Sequence, residues 1–190
     1  MSKSLLLLVV FVVVKIVIAD PFEQFSSATV AFYNLAANSP DAISQYKYLD
    51  GAVFCCAYGT TYLSPSAGGS YTGTRWFIER YADNLYGIVN TAAFLPGADQ
   101  ERRYLACDYS TNRVILTSRD VPRDKVYSYS NTWSVVKHGD NDYSFKCRPI
   151  LAEDDAYLDG AVFPGTPGKV YISPSYNGGY TGTHWSISLI

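Results

Sequence analysis

The sequence predicts an all-β domain built from one four-strand unit written three times, and three observations predict it. First, Tyr48-Leu49-Asp50-Gly51-Ala52-Val53-Phe54 returns as Tyr157-Leu158-Asp159-Gly160-Ala161-Val162-Phe163. At the same offset of 109, Tyr62-Leu63-Ser64-Pro65-Ser66 returns as Tyr171-Ile172-Ser173-Pro174-Ser175, and Tyr71-Thr72-Gly73-Thr74-Arg75-Trp76 as Tyr180-Thr181-Gly182-Thr183-His184-Trp185. Second, the three tryptophans stand at 76, 133 and 185, so a third copy fits between the two clear ones. Third, hydrophobic residues alternate with polar ones: Trp185, Ile187 and Leu189 against Ser186 and Ser188, and Tyr143, Phe145 and Cys147 against Ser144 and Lys146. A two-residue period puts one face of a strand in a core and the other in water.

The first strand of each unit is expected at about 28–36, 85–93 and 142–151, where Asn34-Leu35-Ala36-Ala37 echoes Asn90-Thr91-Ala92-Ala93. The second is the Tyr-Leu segment, and Tyr104-Leu105-Ala106-Cys107 is its degenerate middle copy. The third is the Tyr-Leu-Ser segment, with Val114-Ile115-Leu116 in the middle unit, and the fourth carries the tryptophan. Stretches rich in Gly, Pro and Ser, such as 64–69 and 164–168, separate strands as turns. Twelve strands result, in units spanning about 27–84, 85–141 and 142–190 of one domain over 20–190. The tryptophans are expected in the core, where an indole buries on the order of 150–250 Å².

Residues 1–19 stand apart. A short basic start, an unbroken apolar run from Leu5 to Val14 and small residues before Asp20 have the pattern of a secretory signal peptide, and the run is short for a membrane span. A secreted, extracellular protein without membrane insertion is expected. Removing the segment leaves 13 basic against 17 acidic residues, a net charge near −4. Nucleic acids need a basic field, so they are not expected partners. Four cysteines (Cys55, Cys56, Cys107, Cys147) in an exported chain imply disulfides, with three pairings open; the adjacent Cys55 and Cys56 are expected to pair elsewhere rather than with each other, although free thiols or an intermolecular bridge are also compatible.

Three repeats would leave exposed edges in an open sheet, and closure about a three-fold axis removes them. So read, residues 27–190 resemble the β-trefoil superfamily, which includes ricin-type lectins, fascin-like domains, Kunitz-type plant protease inhibitors and certain cytokines. The resemblance implies three four-strand repeats with pseudo-three-fold symmetry. Ricin-type lectins share the three tryptophan-marked repeats and the extracellular destination. They usually carry Gln two residues before the Trp, where this chain has Thr74, Asn131 and Thr183. Fascin-like domains also fit the strand pattern, but an exported chain does not meet actin.

The repeats preserve more than packing requires. Asp50 and Asp159 offer carboxylates to sugar hydroxyls, while Tyr62, Tyr71, Tyr171 and Tyr180 offer ring faces to the apolar side of a pyranose. Asn177 and His184, with Tyr176, add contacts in the third repeat. A non-catalytic site for glycans or glycoproteins is therefore expected in the first and third repeats. The competing reading is local: Asp-Gly as a turn bonding its own amides, and Gly73 and Gly182 at positive φ.

A second partner class is a protease. Kunitz-type trefoils inhibit through one exposed loop, and residues 95–103 and 119–125 offer basic side chains to a trypsin-like pocket. The cysteines do not follow that family's late, closely spaced second pair. Catalysis finds no support: His138 and His184 lack a Ser/His/Asp order, no metal-spaced cluster or phosphate loop is present, and Asp154 and Asp155 are adjacent on a strand. Neither cofactor nor metal is expected.

Overall fold

The computed structural model describes residues 20, 22–53, 59–120, 129–148, 156–177 and 181–190. The signal-like segment, Cys55, Cys56, Asp154, Asp155, Tyr180 and residues 121–125 of the second loop lie outside the described residues.

The first repeat contains β1 (Thr29–Asn34), β2 (Tyr48–Gly51), β3 (Thr61–Ser64) and β4 (Trp76–Ala82). The second contains β5 (Leu85–Asn90), β6 (Tyr104–Asp108), β7 (Arg113–Thr117), a two-residue β8 (Tyr129–Ser130) and β9 (Trp133–Gly139). The third contains β10 (Asp142–Cys147), β11 (Tyr157–Gly160), β12 (Val170–Ser173) and β13 (Trp185–Leu189). β8 is the one described strand beyond the expected twelve. It arises where the middle repeat is longest, and pairs with β6 through Cys107 and Ser130.

First and fourth strands close a six-stranded barrel: β1 pairs with β4, β4 with β5, β5 with β9, β9 with β10, β10 with β13, and β13 returns to β1. The second and third strands form the hairpins β2–β3, β6–β7 and β11–β12. They meet one another about the axis through Thr60 with Ile115, Tyr62 with Lys169, and Tyr171 with Arg113. Closure leaves the barrel without an edge strand. The chain is a β-trefoil.

Trp76, Trp133 and Trp185 are fully buried, and each indole N–H donates to the carbonyl of the second-strand leucine of its own repeat: Leu49 at 3.0 Å, Leu105 at 2.9 Å and Leu158 at 3.0 Å. A buried indole needs an acceptor, and the invariant Tyr-Leu segment supplies it in each unit. At the end of the barrel where the β4–β5 and β9–β10 hairpins turn, Phe22 and Phe25 pack edge-on against Tyr86, Tyr143 and Phe145. These residues precede the first repeat, and no periodicity marks them as core.

The repeats are joined by three related latches. The last residues of the first strands are Asn34, Asn90 and Cys147, and the last residues of the Tyr-Leu segments are Gly51, Cys107 and Gly160. Asn34 Nδ2 donates to Gly160 O (3.3 Å) and Gly182 O (2.8 Å), and Asn90 Nδ2 donates to Gly73 O (2.6 Å) beside Gly51. At the third joint, Cys147 is disulfide-bonded to Cys107, with a Cα–Cα distance of 6.5 Å. A Cβ on Gly51 or Gly160 would come within 2.7 or 2.5 Å of the asparagine nitrogen, so glycine stands opposite asparagine and cysteine opposite cysteine.

Candidate functional site

The β2–β3 and β11–β12 hairpins place Asp50 opposite Tyr62 and Asp159 opposite Tyr171. Their repeated sequences predict equivalent sites, yet the two differ. Asp50 is only 2% exposed. Its carboxylate accepts from the Ser64 hydroxyl, and the Tyr62 hydroxyl lies on the facing strand. Burial raises its pKa above the ordinary carboxylate range, against the Ser64 bond. Burial and the facing carboxylate likewise push the Tyr62 hydroxyl up to about 12. Asp50 is thus covered, whereas the first-repeat site expected from sequence needs an accessible carboxylate. Tyr62 and Tyr71 still present ring surface, at 39% and 36% exposure.

Asp159 accepts from Ser173 and its pKa is also raised by burial, but the residue remains partly exposed. It opens onto a cavity of about 380 Å³ lined by Asp159, Ala161, Phe163, Pro164, Thr166 and Gly182. The floor is the end of β11 and the wall is the turn 163–166. Phe163 supplies an aromatic group beside the carboxylate. Its repeated position, next to the Tyr-Leu-Asp-Gly segment, was the available signal.

The remaining candidates go elsewhere. Tyr171 lines a separate pocket on the trefoil axis rather than the Asp159 cavity. Asn177 is exposed, its N–H held by Ser175 Oγ at 3.1 Å. His184 is drawn into a different cluster: Nδ1 lies 2.9 Å from Asp142 Oδ1, Nε2 lies 3.1 Å from Tyr176 O, and its ring stacks 4.6 Å from that of His138. His138 Nε2 meets Ser144 Oγ at 2.8 Å, and burial followed by the neighbouring His184 lowers its pKa. That Ser144 hydroxyl donates to Thr183 O and is fully buried.

Gly73 and Gly182 are not at positive φ, contrary to the turn expectation. Glycine is required there by contact: a Cβ would collide with Asp50 Oδ1 and Gly51 O in the first repeat, and with Asp159 Oδ1 and Gly160 O in the third. The threonines that stand in place of the ricin-type Gln lock the same loops. Thr74 Oγ1 donates to Tyr71 O (2.7 Å) and accepts from Gly68 N (3.0 Å), while Thr183 Oγ1 donates to Tyr176 O (3.2 Å).

The loop 95–103 is a chain of tight turns, not an extended strand. Ala98 N donates to Leu95 O, Asp99 N to Val53 O at 2.8 Å, and Asp99 Oδ1 accepts from the amides of Glu101 and Arg102. Arg102 is paired with Asp99 at 2.8 Å and Arg103 sits over Phe94. In the other loop, Arg119 is bound to Glu79 at 2.8 Å. Among the described residues, no group of three or more His, Cys, Asp or Glu side chains could hold a metal ion, and no helix is long and apolar enough to cross a membrane.

No protein-family description matches the chain, and no curated protein matches it by sequence. Solved structures do resemble it. The designed three-fold symmetric protein ThreeFoil superposes with a TM-score of 0.56 at 18% identity, over 85% of this chain and 99% of its own. A ricin B-like lectin from Macrolepiota procera, solved in complex with lactose, gives 0.54 at 13% identity over 87% of this chain and 97% of its own. A salivary protein from Culex quiquefasciatus of the Cysteine and Tryptophan-Rich family gives 0.54 at 13% identity, covering 87% and 96%. At these identities the likeness establishes the trefoil fold alone.

Proposed function

We propose that this chain is a carbohydrate-binding protein of lectin type, acting outside the cell and without catalysis, with its glycan site in the cavity beside Asp159. The observation that carries the reading is that the partly exposed Asp159 and Phe163 line one cavity of about 380 Å³. Small-ligand sites of about 300–1,000 Å³ with a few convergent polar groups are common, and this cavity falls within that range. The carboxylate accepts hydrogen bonds from two neighbouring ring hydroxyls, and Phe163 covers the apolar face of the same pyranose. The lactose-bound trefoil lectin lends support by analogy of fold. The apolar leader at 5–14 supports export.

A glycan array of the oxidised protein tests this, run beside Asp159→Ala, Phe163→Ala and Tyr71→Ala. Binding by the parent and by Tyr71→Ala, lost in the other two variants with their melting transitions intact, is the expected pattern. Silence of the parent across the array, or undiminished binding by folded Asp159→Ala, refutes the proposal.

A further inference from the structure

A second pocket lies on the pseudo-three-fold axis, where the hairpins of all three repeats converge. Strand pairing shows how it is built. Thr61 faces Gly51 across β2–β3, Val114 faces Cys107 across β6–β7, and Val170 faces Gly160 across β11–β12. These three residues are therefore equivalent, and they form the inner ring; Val114 and Val170 are buried, and Thr61 Oγ1 is turned away to donate to Val114 O at 2.5 Å. One position further out, Thr60, Arg113 and Lys169 are equivalent in turn and form an exposed outer ring. Ile115 and the Tyr171 ring complete the walls.

The result is a funnel with an apolar floor and a mouth carrying two cations. Neither Arg113 nor Lys169 has an ion-pair partner among the described residues. Asp108 is the register partner of Arg113 across β6–β7, and its carboxylate accepts from the Ser110 (2.5 Å) and Thr111 (2.7 Å) hydroxyls without forming an ion pair with Arg113. The cavity measures about 150 Å³. Apolar cavities of about that volume accept a benzene ring. Two exposed cations above an apolar floor of this size define the complementary ligand: an anionic group at the mouth on a single ring-sized apolar body.

We propose that the axial funnel binds small amphipathic carboxylates, its floor of Val114 and Val170 and its Ile115 wall taking the apolar body and its mouth of Arg113 and Lys169 taking the carboxylate. The site uses none of the residues of the Asp159 cavity, so it stands or falls independently of glycan binding.

Benzoate is the probe, with benzyl alcohol as the neutral analogue of equal size, and the readout is the methyl resonances of Val114, Ile115 and Val170 in the full oxidised protein. Benzoate is expected to shift these methyls saturably, at least tenfold more tightly than benzyl alcohol, and more weakly as salt rises. The exposed Arg113→Gln, Lys169→Gln variant should fold normally and lose at least tenfold in benzoate affinity, while Asp159→Ala should bind benzoate as the parent does. The proposal is overturned if the parent shows no saturation up to about 10 mM benzoate, a weak-binding ceiling. It is equally overturned if benzyl alcohol binds as well, or if the double variant retains parental affinity. Should that variant fail to fold, the salt dependence and the neutral analogue decide the matter on the parent alone.

Discussion

Gly160→Ala is a sharp probe of the latch between the first and third repeats. The added methyl would sit 2.5 Å from Asn34 Nδ2, 3.0 Å from Trp185 Cη2 and 3.2 Å from Leu63 Cδ1, all of them buried. Overpacking of this kind costs about 1–3 kcal/mol. Displacing Nδ2 also disturbs its bonds to Gly160 O and Gly182 O, and a buried polar group left unsatisfied costs roughly another 1–3 kcal/mol. A loss of about 3–4 kcal/mol is expected, which for a domain of this size lowers Tm by roughly 10 °C. Asn34→Ala alone removes the same two bonds and the cap on Ala36 N, at about 2–4 kcal/mol. In the double variant the methyl enters space that the amide has vacated. The combined loss should therefore fall short of the sum by about 1–2 kcal/mol, well outside the roughly 0.5 kcal/mol scatter of independent sites. Urea unfolding of the four proteins, with m-values compared, measures this cycle. Additivity, or an unchanged midpoint in Gly160→Ala, would refute the latch as the reason for glycine at 160.

Two further outcomes follow from the same geometry. The loop closed by Cys107–Cys147 spans 40 residues, so replacing both cysteines with serine should cost about 4 kcal/mol by loop entropy, whereas Cys107→Gly with Cys147→Asn should recover part of that loss by rebuilding the asparagine–glycine latch; equal midpoints for the two double variants would argue against latch equivalence. Burial holds the Asp50 carboxyl above its unfolded pKa, so the folded state binds its proton more tightly, and this contribution to stability is full below about pH 4 and lost as pH rises through the folded value. Asp50→Asn should therefore gain Tm relative to the parent between pH 4 and pH 7 by calorimetry, and a pH-independent difference would contradict the assignment.

Much of the architecture was legible in the residues themselves. Trp76, Trp133 and Trp185 announced the repeat and are buried with the same carbonyl partner in each unit, because a local segment, Tyr-Leu, supplies both strand and acceptor. The plug formed by Phe22 and Phe25 was not legible, since a single non-repeated turn carries no period. The inter-repeat pairing of Cys147 with Cys107 was one of several open pairings until strand register set their equivalence to Asn34 with Gly160.

The candidate site divides along the same line. Sequence determined that Asp50 and Asp159 occupy equivalent places at the ends of equivalent strands, because the hydrogen-bonded register of a hairpin is a local property of its residues. Tertiary structure decided which of them meets solvent. Exposure is set by whatever neighbouring chain packs over a side chain: Asp50, bonded by Ser64, is covered, whereas Asp159, bonded by the equivalent Ser173, lines an open cavity walled by 163–166. The axial funnel has the same origin, since no single repeat contains it. Its charge and its apolar floor arise only when Thr61, Val114 and Val170, distant in sequence, are brought into one ring by closure of the barrel beneath them.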